Sequence, residues 1–493
     1  MGSSAQAWLG EHEREGVEQW MEWLRIPSIS TDPAYRADCR KAAQWCCDQL
    51  ANLGFSAKLV EAGAVGADGQ GAGHPIVMAT IEPKAGYKGP HILFYGHYDV
   101  QPVDPVELWK SPPFEPVLQD SQGKPVSMED ALKEGERAGP SGGVRVVARG
   151  AVDDKGQVMT FIQACRALKE LTGHPTGGAR YTIVIEGEEE CGSGNLAGFV
   201  RQQKAALKDC DVCLISDTGM LDRGKPAITY GVRGLAYTEI TLHAANQDLH
   251  SGLWGGRCPN PNTELARVLS QLHDAKRRVT IPGFYQDVVA LTKKERENWR
   301  KLKFSAAAAL KKIGLSAKAD IGEAGFTAME REWGRPTAEI NGMWGGYIGA
   351  GAKTVIPASA SAKVSFRLVA NQKPEKVVKQ FFKWLKDRTP PGCRWDLKDL
   401  HGGLGVTVPI DSPHLAAASR AIKQATGSAP ALIKSGGSIP VAGMLKQELG
   451  IDTIFMGFGL DDDRVHSPNE KFELACYRMG CRCHAAFMEQ LIA

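Results

Sequence analysis

The chain has 493 residues, 43% hydrophobic and 23% charged, a composition typical of globular proteins and a length that exceeds one ordinary hydrophobic core. Its 59 basic and 56 acidic residues leave a net charge of only +3 and form no basic stripe, which argues against a nucleic-acid partner. No uncharged apolar stretch reaches the ~18–20 residues that cross a bilayer, so no membrane partner is expected either.

The N-terminal segment and the cysteines favour a cytoplasmic protein. The first residues, MGSSAQAWLGEHEREGVEQW, lack the apolar core of a signal peptide, and Gln6 replaces the Ser or Thr of a myristoylation motif. Cys210 and Cys213 flank an apolar strand in which residues three apart point to opposite faces, so this pair is a poor chelator. We therefore expect the twelve cysteines to be reduced thiols.

In chain order, the outer parts of the sequence alternate between helices and apolar strands. The predicted helices cover 9–25, 39–53 and 154–171, and the predicted strands cover 76–82, 91–96, 181–186, 212–216 and 452–457. The last three strands are β-branched and apolar on both faces, as in a largely parallel sheet covered by helices. Because helix 154–171 lies between two strands, it suits a βαβ unit, and we predict an α/β fold.

The pattern changes between about 232 and 408. Segments 236–244 and 362–370 alternate polar and apolar residues like strands with one buried face, which predicts an antiparallel sheet. Three helices are expected in the same block, near 262–277, 294–313 and 373–387. We therefore predict a first domain of residues 1–231 and 409–493, with an α+β domain of residues 232–408 inserted into it.

Five acidic or histidine motifs fall at or just beyond the ends of short apolar runs. They are His97-Tyr98-Asp99, Asp153-Asp154-Lys155-Gly156, Glu188-Glu189-Glu190, Asp217 and His466. Carboxylates and imidazoles are ligands that divalent metals accept, and ligands gather beyond the carboxyl ends of the strands in open α/β sheets. The pattern therefore predicts a carboxylate-bridged two-metal hydrolase site.

Each motif taken alone also has a structural interpretation. His97 with Asp99 fits a metal ligand and the carboxylate that orients it, but it also fits a histidine in a polar turn. The run Asp153-Asp154 opens a helix, and an acid there could simply cap it. An isolated Asp217 or His466 is more often structural than functional. The metal-site hypothesis therefore depends on the conjunction of all five motifs.

The run Glu188-Glu189-Glu190 is the strongest of the five. Three adjacent carboxylates at the end of a buried strand repel one another, at a cost that nearby cations would offset. One glutamate could be a ligand and its neighbour the general base for a metal-activated water, while a solvated acidic turn is the alternative. The sequence contains no Walker loop, dinucleotide-binding loop or G-x-S-x-G elbow.

With these motifs, the chain resembles the dizinc metallopeptidase family of aminoacylase, glutamate carboxypeptidase and cytosolic carnosinase, and within it the carnosinase-type dipeptidases. The resemblance runs nearly end to end through GHYDVQP (96–102), GAVDDKG (150–156), EGEEECGS (186–193), ISD (215–217), DLHSG (248–252), RPTAEINGM (335–343), KTVIP (353–357), FRLV (366–369), GGSIP (436–440) and HSPNE (466–470). It implies a zinc-exopeptidase-like α/β catalytic domain and an inserted lid through which the protein forms a homodimer.

The resemblance also implies a cofactor and a role for each residue of the metal site. Two divalent ions are expected, zinc or else manganese or cobalt. Their ligands would be His97 and Asp217 for one ion and Glu190 and His466 for the other, with Asp153 bridging both. Glu189 would be the general base, and Asp99 would support His97.

A substrate pocket in the lid is implied as well. His250 would reach from the partner subunit to polarise the scissile carbonyl, and the guanidinium fork of Arg367 would bind the substrate's carboxylate. Further lining residues would be Asn341, Thr354, His401, Gly437 and Ser438. Ser435 departs from the family pattern, because eukaryotic carnosinase-type members tend to carry Glu directly before GGSIP. If that Glu pairs with a free α-amine, either another acid replaces it here or N-blocked substrates are tolerated.

We therefore predict a two-metal hydrolase that cleaves the amide bond of dipeptides or similar small substrates with a free carboxylate. An N-acyl-amino-acid deacylase on the same scaffold is the first alternative. A non-catalytic, metal-stabilised dimer that binds small carboxylates is the second. The Asp99–Glu189 pair argues against the binding protein, because a binder does not need a general base.

Overall fold

The computed structural model describes residues 4–64, 66, 71–133 and 142–492, which divide into two compact units. The first comprises Met1–Tyr230, Val408–Ile433 and Leu445–Ala493, and the second comprises Gly231–Thr407 and Lys434–Met444. The short segment Lys434–Met444 belongs to the second unit, whereas the sequence predicts all of 409–493 in the first domain. The lid and dimerisation role of residues 232–408 stays a prediction.

Regular structure is distributed over both units of the described chain. The strands, in chain order, are β1 (Ser56–Val60), β2 (Ile76–Ile81), β3 (Ile92–His97), β4 (Val117–Gln119), β5 (Arg145–Val147), β6 (Tyr181–Glu186), β7 (Val212–Ile215), β8 (Ala227–Val232), β9 (Gly234–His243), β10 (Leu249–His250), β11 (Thr337–Gly345), β12 (Val355–Ile356), β13 (Ser359–Leu368), β14 (Arg394–Gly403), β15 (Val406–Thr407), β16 (Ala431–Ser435), β17 (Asp452–Phe455) and β18 (Lys471–Glu473).

The α-helices, in chain order, are α1 (Ser4–Glu11), α2 (Glu13–Leu24), α3 (Arg36–Asn52), α4 (Met128–Lys133), α5 (Lys155–Thr172), α6 (Leu196–Gln202), α7 (Lys204–Leu207), α8 (Ser251–Trp254), α9 (Pro261–Leu269), α10 (Lys293–Lys301), α11 (Ala306–Lys312), α12 (Ala328–Gly334), α13 (Pro374–Lys386), α14 (Pro413–Thr426), α15 (Pro440–Leu449) and α16 (Leu474–Ile492). Among the described residues, none of these helices combines the length and the apolar composition that a membrane span requires.

The first unit is built on a mixed sheet whose central strands are parallel. Its strand order is β1-β2-β6-β3-β7-β17-β8, in which β6, β3, β7 and β17 run parallel and the outer strands are antiparallel. Strands β3, β6 and β7 are buried at every position, as expected for strands that are covered on both faces. The α/β prediction is confirmed, and the strands predicted to be parallel form the centre of the sheet.

Helix α5 packs against the central strand β3. Phe161 of the helix stacks on Phe94 of the strand with the ring centroids 3.8 Å apart, and α16 packs against α5 in turn. The helix ends at Gly173, whose φ of 70° suits a left-handed C-cap. At the other end, Asp154 occupies the N-cap position without a side-chain capping hydrogen bond, so capping does not explain this acid.

The second unit contains a four-stranded antiparallel sheet in the order β11-β13-β9-β14. One face of this sheet forms a hydrophobic core with α9 and α13, which includes Ile240, Val364, Phe366, Phe381 and Trp384. Because side chains alternate along a strand, the opposite face carries the intervening residues, among them the register pair Thr337 and Arg367. The unit is therefore α+β, with a polar face on its sheet.

Three predicted helices have different bounds in the structure. Residues 9–25, predicted as one helix, form the end of α1 and the whole of α2. The two helices are separated at His12, whose ring Nδ1 lies 2.9 Å from the carbonyl oxygen of Trp8. The helix predicted near 262–277 ends at Leu269, and Asp274 then accepts two backbone N–H groups in a turn. The helix predicted over 294–313 is broken at Lys303, whose φ is 52°.

Candidate metal centre

The residues that the sequence proposes as ligands lie along one edge of the first unit's sheet. His97 is the last residue of β3, Glu190 follows the end of β6, and Asp217 follows the end of β7. Because these strands are parallel, their carboxyl ends meet at the same edge. Asp153 lies next to Asp154, the N-cap of α5, and His466 lies in the loop between β17 and β18. The fold therefore brings five distant residues together.

The five residues form two adjacent groups that share Asp153. One group contains His97, Asp153 and Asp217, and the other contains Asp153, Glu190 and His466; in each group the ligand atoms lie within 4.8 Å of one another. Asp153 Oδ1 lies 3.1 Å from His97 Nε2, and its Oδ2 lies 3.0 Å from His466 Nε2. A carboxylate whose two oxygens face separate groups can bridge two cations.

The orientation of His97 tests whether these side chains fit a cation. Its Nδ1 lies 3.1 Å from the carbonyl oxygen of Asp99, and a proton shared in that hydrogen bond leaves the lone pair on Nε2. Nε2 faces oxygens of Asp153 and Asp217 at 3.1 and 3.8 Å, yet it has no aligned hydrogen-bond partner in the described chain. A lone pair directed at carboxylate oxygens is favourable when a cation lies between them, so the donor set fits a divalent metal.

The charges at this site are unbalanced without cations. Burial, together with repulsion from Asp153, raises the pKa of Asp217 to about 7. Burial also raises the pKa of Glu189 to about 9; attraction to His97 opposes this effect, and repulsion from Asp217 and Glu190 adds to it. Hydrogen bonds to Asp153 and Glu190 raise the pKa of His466 to about 10. Divalent cations would neutralise this concentration of negative charge.

Two further buried acids hold His97 and the glutamate turn. Asp99 Oδ1 lies 3.3 Å from His97 Nδ1, and Asp99 Oδ2 accepts the backbone N–H of Glu190 at 3.0 Å. Asp154 Oδ2 accepts the backbone N–H of His97 at 3.2 Å. Asp99 therefore connects the end of β3 to the turn after β6, which is compatible with the supporting role that the resemblance implies for it.

The three consecutive glutamates have different partners. Glu188 accepts hydrogen bonds from the backbone N–H of His74 and from the backbone and side-chain amides of Asn195. Glu190 Oε2 lies 3.2 Å from His466 Nε2. Glu189 lies between them in a short 3-10 turn. Glu188 is thus engaged in folding the turn, which leaves Glu189 and Glu190 for the chemistry of the site.

Two side chains of the site have no role in the sequence prediction. Gln101 Nε2 donates to Glu190 Oε2 at 2.7 Å, and Glu470 accepts the backbone N–H of Asp153 at 3.1 Å. Both lie inside motifs that carry the family resemblance, GHYDVQP and HSPNE. Their membership of these motifs is a sequence signal that both residues have a role. It does not reveal the residues they contact, which lie 89 and 317 positions away in the chain.

The second unit contains a cavity of about 620 Å³ that includes Arg367 and Asn341 in its lining. Arg367 Nη1 donates to Ser438 Oγ at 2.9 Å, and the backbone N–H of Arg233 donates to the carbonyl oxygen of Gly437 at 3.1 Å. Burial and the charge of Arg367 lower the pKa of Arg233 to about 10. Arg367 thus contacts the Gly437-Ser438 turn, and Asn341 lines the same cavity. Arg233 is an additional cation that the sequence does not reveal.

The remaining predicted residues lie elsewhere in the second unit. His250 is exposed, and its Nδ1 accepts the backbone N–H of Gly252 at 3.0 Å, which leaves the proton of the neutral ring on Nε2. The carbonyl oxygen of Thr354 accepts the backbone N–H of Ser251, beside His250. His401 packs edge-on against Tyr237. Thr354 and His401 are not among the described residues that line the Arg367 cavity.

Comparison with known proteins gives concordant results. Residues 93–490 match the family described as peptidase family M20/M25/M40. The Cys-Gly metallodipeptidase DUG1 of Candida albicans is 31% identical over 487 residues, 96% of this chain and 93% of that protein. The human Beta-Ala-His dipeptidase is 30% identical over 495 residues, 97% of this chain and 90% of that protein.

Solved structures agree with the sequence relatives. The di-peptidase Dug1p of Saccharomyces cerevisiae has a TM-score of 0.75 at 26% identity, and human carnosine dipeptidase 1 has a TM-score of 0.74 at 27% identity. Each comparison covers 99% of this chain and 98% of the other. The similarity therefore extends over the whole length of both chains, and the protein belongs to the M20/M25/M40 family of metallopeptidases.

Proposed function

We propose that this protein is a two-metal dipeptidase that hydrolyses the amide bond of dipeptides or similar small substrates with a free carboxylate. The observation that carries the proposal is the pair of ligand groups that share Asp153, with the carboxylate of Glu189 beside them. The names of the relatives, a Cys-Gly metallodipeptidase and a Beta-Ala-His dipeptidase, support the substrate class. Zinc is the proposed metal, and manganese or cobalt would suit the same carboxylate and imidazole ligands.

The metal ligands proposed for the two ions are those of the two groups. His97 and Asp217 would hold one ion, Glu190 and His466 the other, and Asp153 would contact both. When bound, the cations would polarise the scissile carbonyl group and lower the pKa of a water molecule. The support for this assignment is the unpartnered Nε2 of His97 and the two-sided position of the Asp153 carboxylate.

Glu189 moves the proton in the proposed reaction. Its carboxylate takes a proton from the attacking water and then delivers that proton to the nitrogen of the leaving amine. One carboxylate oxygen of Asp99 contacts His97 and the other accepts the backbone N–H of Glu190, so Asp99 holds the end of β3 next to the glutamate turn. Proton transfer is thus assigned to Glu189, which is next to the ligands but outside both ligand groups.

The second unit supplies substrate recognition in this proposal. His250, protonated at Nε2 when neutral, can donate a hydrogen bond to the carbonyl oxygen as negative charge develops there. Arg367 binds the substrate's carboxylate, and its hydrogen bond to Ser438 fixes one side of the guanidinium group. Asn341 lies in the same cavity, and Thr354, His401 and Gly437 are proposed to contribute to substrate binding.

The protein is further proposed to be a cytoplasmic homodimer in which His250 serves the site of the partner subunit. All twelve cysteines are free thiols in the structure, which is compatible with a reducing compartment. Support for the dimer comes from the family resemblance at DLHSG, the motif that contains His250.

An assay on free and N-acetylated dipeptides tests the proposed function. Each peptide is offered before chelation, after chelation, and after zinc or manganese is added back. Metal-restored cleavage of the free dipeptides is expected. Ser435 Oγ accepts the backbone N–H of Gly437 in the turn where the family resemblance implies an acid. Cleavage of the N-acetylated compounds alone would therefore identify the deacylase alternative, and no cleavage of either would contradict both hydrolase hypotheses.

A further inference from the structure

One buried carboxylate, that of Glu470, connects two of the three chain segments that supply the group of Asp153, Glu190 and His466. Glu470 is fully buried, and its Oε1 accepts the backbone N–H groups of Val152 and Asp153 at 2.9 and 3.1 Å. Its Oε2 accepts the backbone N–H of Gly150 at 3.0 Å and a proton of Arg149 Nη1 at 2.7 Å. Four donors from residues 149–153 therefore converge on one side chain.

Arg149 extends this connection to the neighbouring loop. Its Nη2 donates to the carbonyl oxygen of Pro102 at 3.0 Å, and its guanidinium group lies 5.4 Å from the ring centroid of Trp109. The pair of Arg149 and Glu470 is almost inaccessible to solvent. A buried ion pair with this many hydrogen bonds fixes the geometry of the backbone around it, whatever its net contribution to stability.

Glu470 also belongs to the loop that carries His466. This loop is closed at its base, where the backbone N–H of Lys471 donates to the carbonyl oxygen of Asp463 and the two side chains form an ion pair at 2.5 Å. Asn469 anchors the loop through hydrogen bonds of 2.8 Å to the backbone of Leu108 and Lys110. The chain between Asp463 and Lys471 is therefore fixed at its base, at Asn469 and at Glu470.

Within this loop, His466 has a backbone conformation that a free chain rarely adopts. Its φ is 60°, in the left-handed region that costs energy for residues other than glycine. The conformation persists only if the surrounding contacts enforce it. Glu470 lies at the end of the same loop, so its four hydrogen bonds fasten the segment of His466 directly to the segment of Asp153.

We propose that Glu470 is a positioning residue that holds Asp153 and His466 at a fixed separation and thereby sets the affinity of the group formed by Asp153, Glu190 and His466 for a divalent cation. The inference rests on the proposed two-metal function. Loss of the carboxylate would release the backbone of residues 150–153 from that of 466–470. Outer contacts of this kind typically change metal affinity by ~10–100-fold.

The test is the variant Glu470→Gln, which keeps the shape of the side chain but replaces one acceptor oxygen by an NH₂ group facing N–H donors. Metal-free protein is titrated with Zn²⁺ and with Mn²⁺ by calorimetry and by competition with a chelating dye, without substrate. We expect the binding step of the group formed by Asp153, Glu190 and His466 to weaken by about 10-fold or more. The other step should weaken less, because that group shares only Asp153 with the displaced segments.

The control for a general loss of stability is Phe161→Leu, in the core of the same unit. Phe161 stacks on Phe94 and is fully buried, so the substitution lowers the melting temperature of the metal-free protein without touching the His466 loop. If Glu470→Gln binds metal as the wild type does, or if Phe161→Leu weakens binding equally, the inference is wrong.

Two further measurements keep the outcomes separate. If Glu470→Gln does not fold, Glu470→Asp replaces it, because aspartate keeps the charge for Arg149 but is too short for all four donors; a smaller loss in the same binding step is expected, and no loss overturns the inference. A wild type that takes up no divalent ion would reject the proposed function itself and the inference with it, which differs from metal binding that is merely insensitive to Glu470.

Discussion

At the end of β6, identical side chains acquire different chemistry from their surroundings. Glu188 is saturated with donors from His74 and Asn195, whereas Glu190 faces the imidazole of His466 and the amide of Gln101. Glu189 is surrounded by carboxylates, and its pKa is raised. In the proposed site, Glu188 is therefore a structural anchor, Glu189 a proton carrier and Glu190 a metal ligand.

We expect Glu189→Gln to lower kcat by ~10²–10⁴-fold, because the amide cannot accept the proton of the attacking water. Both metals should remain bound, since Glu189 belongs to neither ligand group. Turnover of a dipeptide substrate, measured with metal content by mass spectrometry, checks both expectations. Turnover close to that of the wild type would remove Glu189 from this role.

Glu188→Gln is the matched control on the adjacent residue. Its amide would present an NH₂ group to backbone donors, at an expected cost of about 1–3 kcal/mol in the free energy of unfolding, while kcat changes far less than in Glu189→Gln. Equal losses of kcat in the two variants would mean that distortion of the turn, and not proton transfer, explains the rate.

The sequence indicates the ligand candidates better than it indicates their supports. His97, Asp153 and Asp217 have the residue types that metals require and positions at strand or helix ends, so one sequence suffices to propose them. The role of Glu470 depends on hydrogen bonds to residues more than 300 positions earlier, and no periodicity encodes such a contact. The roles of Gln101 and Arg233 depend on tertiary contacts in the same way.

At the scale of the elements, the pattern of apolar residues in the sequence predicts the strands well but does not predict where the helices break. The strand predicted over 181–186 has the bounds Tyr181–Glu186 in the structure, because its centre is β-branched and apolar and it is flanked by polar turns. The breaks at His12 and Lys303 arise from local contacts, such as the capping of Ala308 N–H by Ser305 Oγ. Such contacts compete with the helical hydrogen bonds without changing the apolar pattern.

Helix α16 brings an imidazole into an aromatic environment. His484 is fully buried, its ring meets those of Phe94, Phe161 and Phe458 edge-on, and its Nε2 lies 2.9 Å from Ser216 Oγ. Burial lowers the pKa of His484 to about 3. The folded protein therefore keeps this ring neutral at a pH where the unfolded chain protonates it.

This difference predicts a dependence of stability on pH. Between pH 6.5 and 3 the unfolded chain binds one more proton than the folded chain at His484, so the free energy of unfolding falls as the pH falls. We expect the wild type to lose about 2 kcal/mol more than His484→Gln between pH 7 and pH 5. Urea unfolding in the presence of a chelator measures this difference, and parallel pH profiles for the two proteins would contradict it.

At the scale of the whole molecule, the proposed exchange of His250 between subunits has a quantitative consequence. Glu189→Gln and His250→Ala homodimers should each be almost inactive. When the two variants are mixed at equal concentration and allowed to exchange subunits, half of the dimers are mixed, and each mixed dimer has one site with both residues intact. Activity should therefore recover to roughly a quarter of that of the wild type.

Sedimentation of the wild type checks that a dimer exists before the mixing experiment. A Glu189→Gln protein mixed with a second preparation of itself is the control for subunit exchange alone. No recovery in the mixed sample, with exchange verified by labelled subunits, would mean that His250 serves its own subunit or has no part in the reaction.

The chain passes between the two units at four points, after Tyr230, Thr407, Ile433 and Met444. The second unit therefore consists of a long and a short chain segment, and the hydrogen bond from Arg367 to Ser438 joins the two. Recombination that exchanges only residues 231–407 with a relative would combine an arginine from one parent with a turn from the other. Chimeras that aim to transfer substrate preference should exchange Lys434–Met444 in the same step.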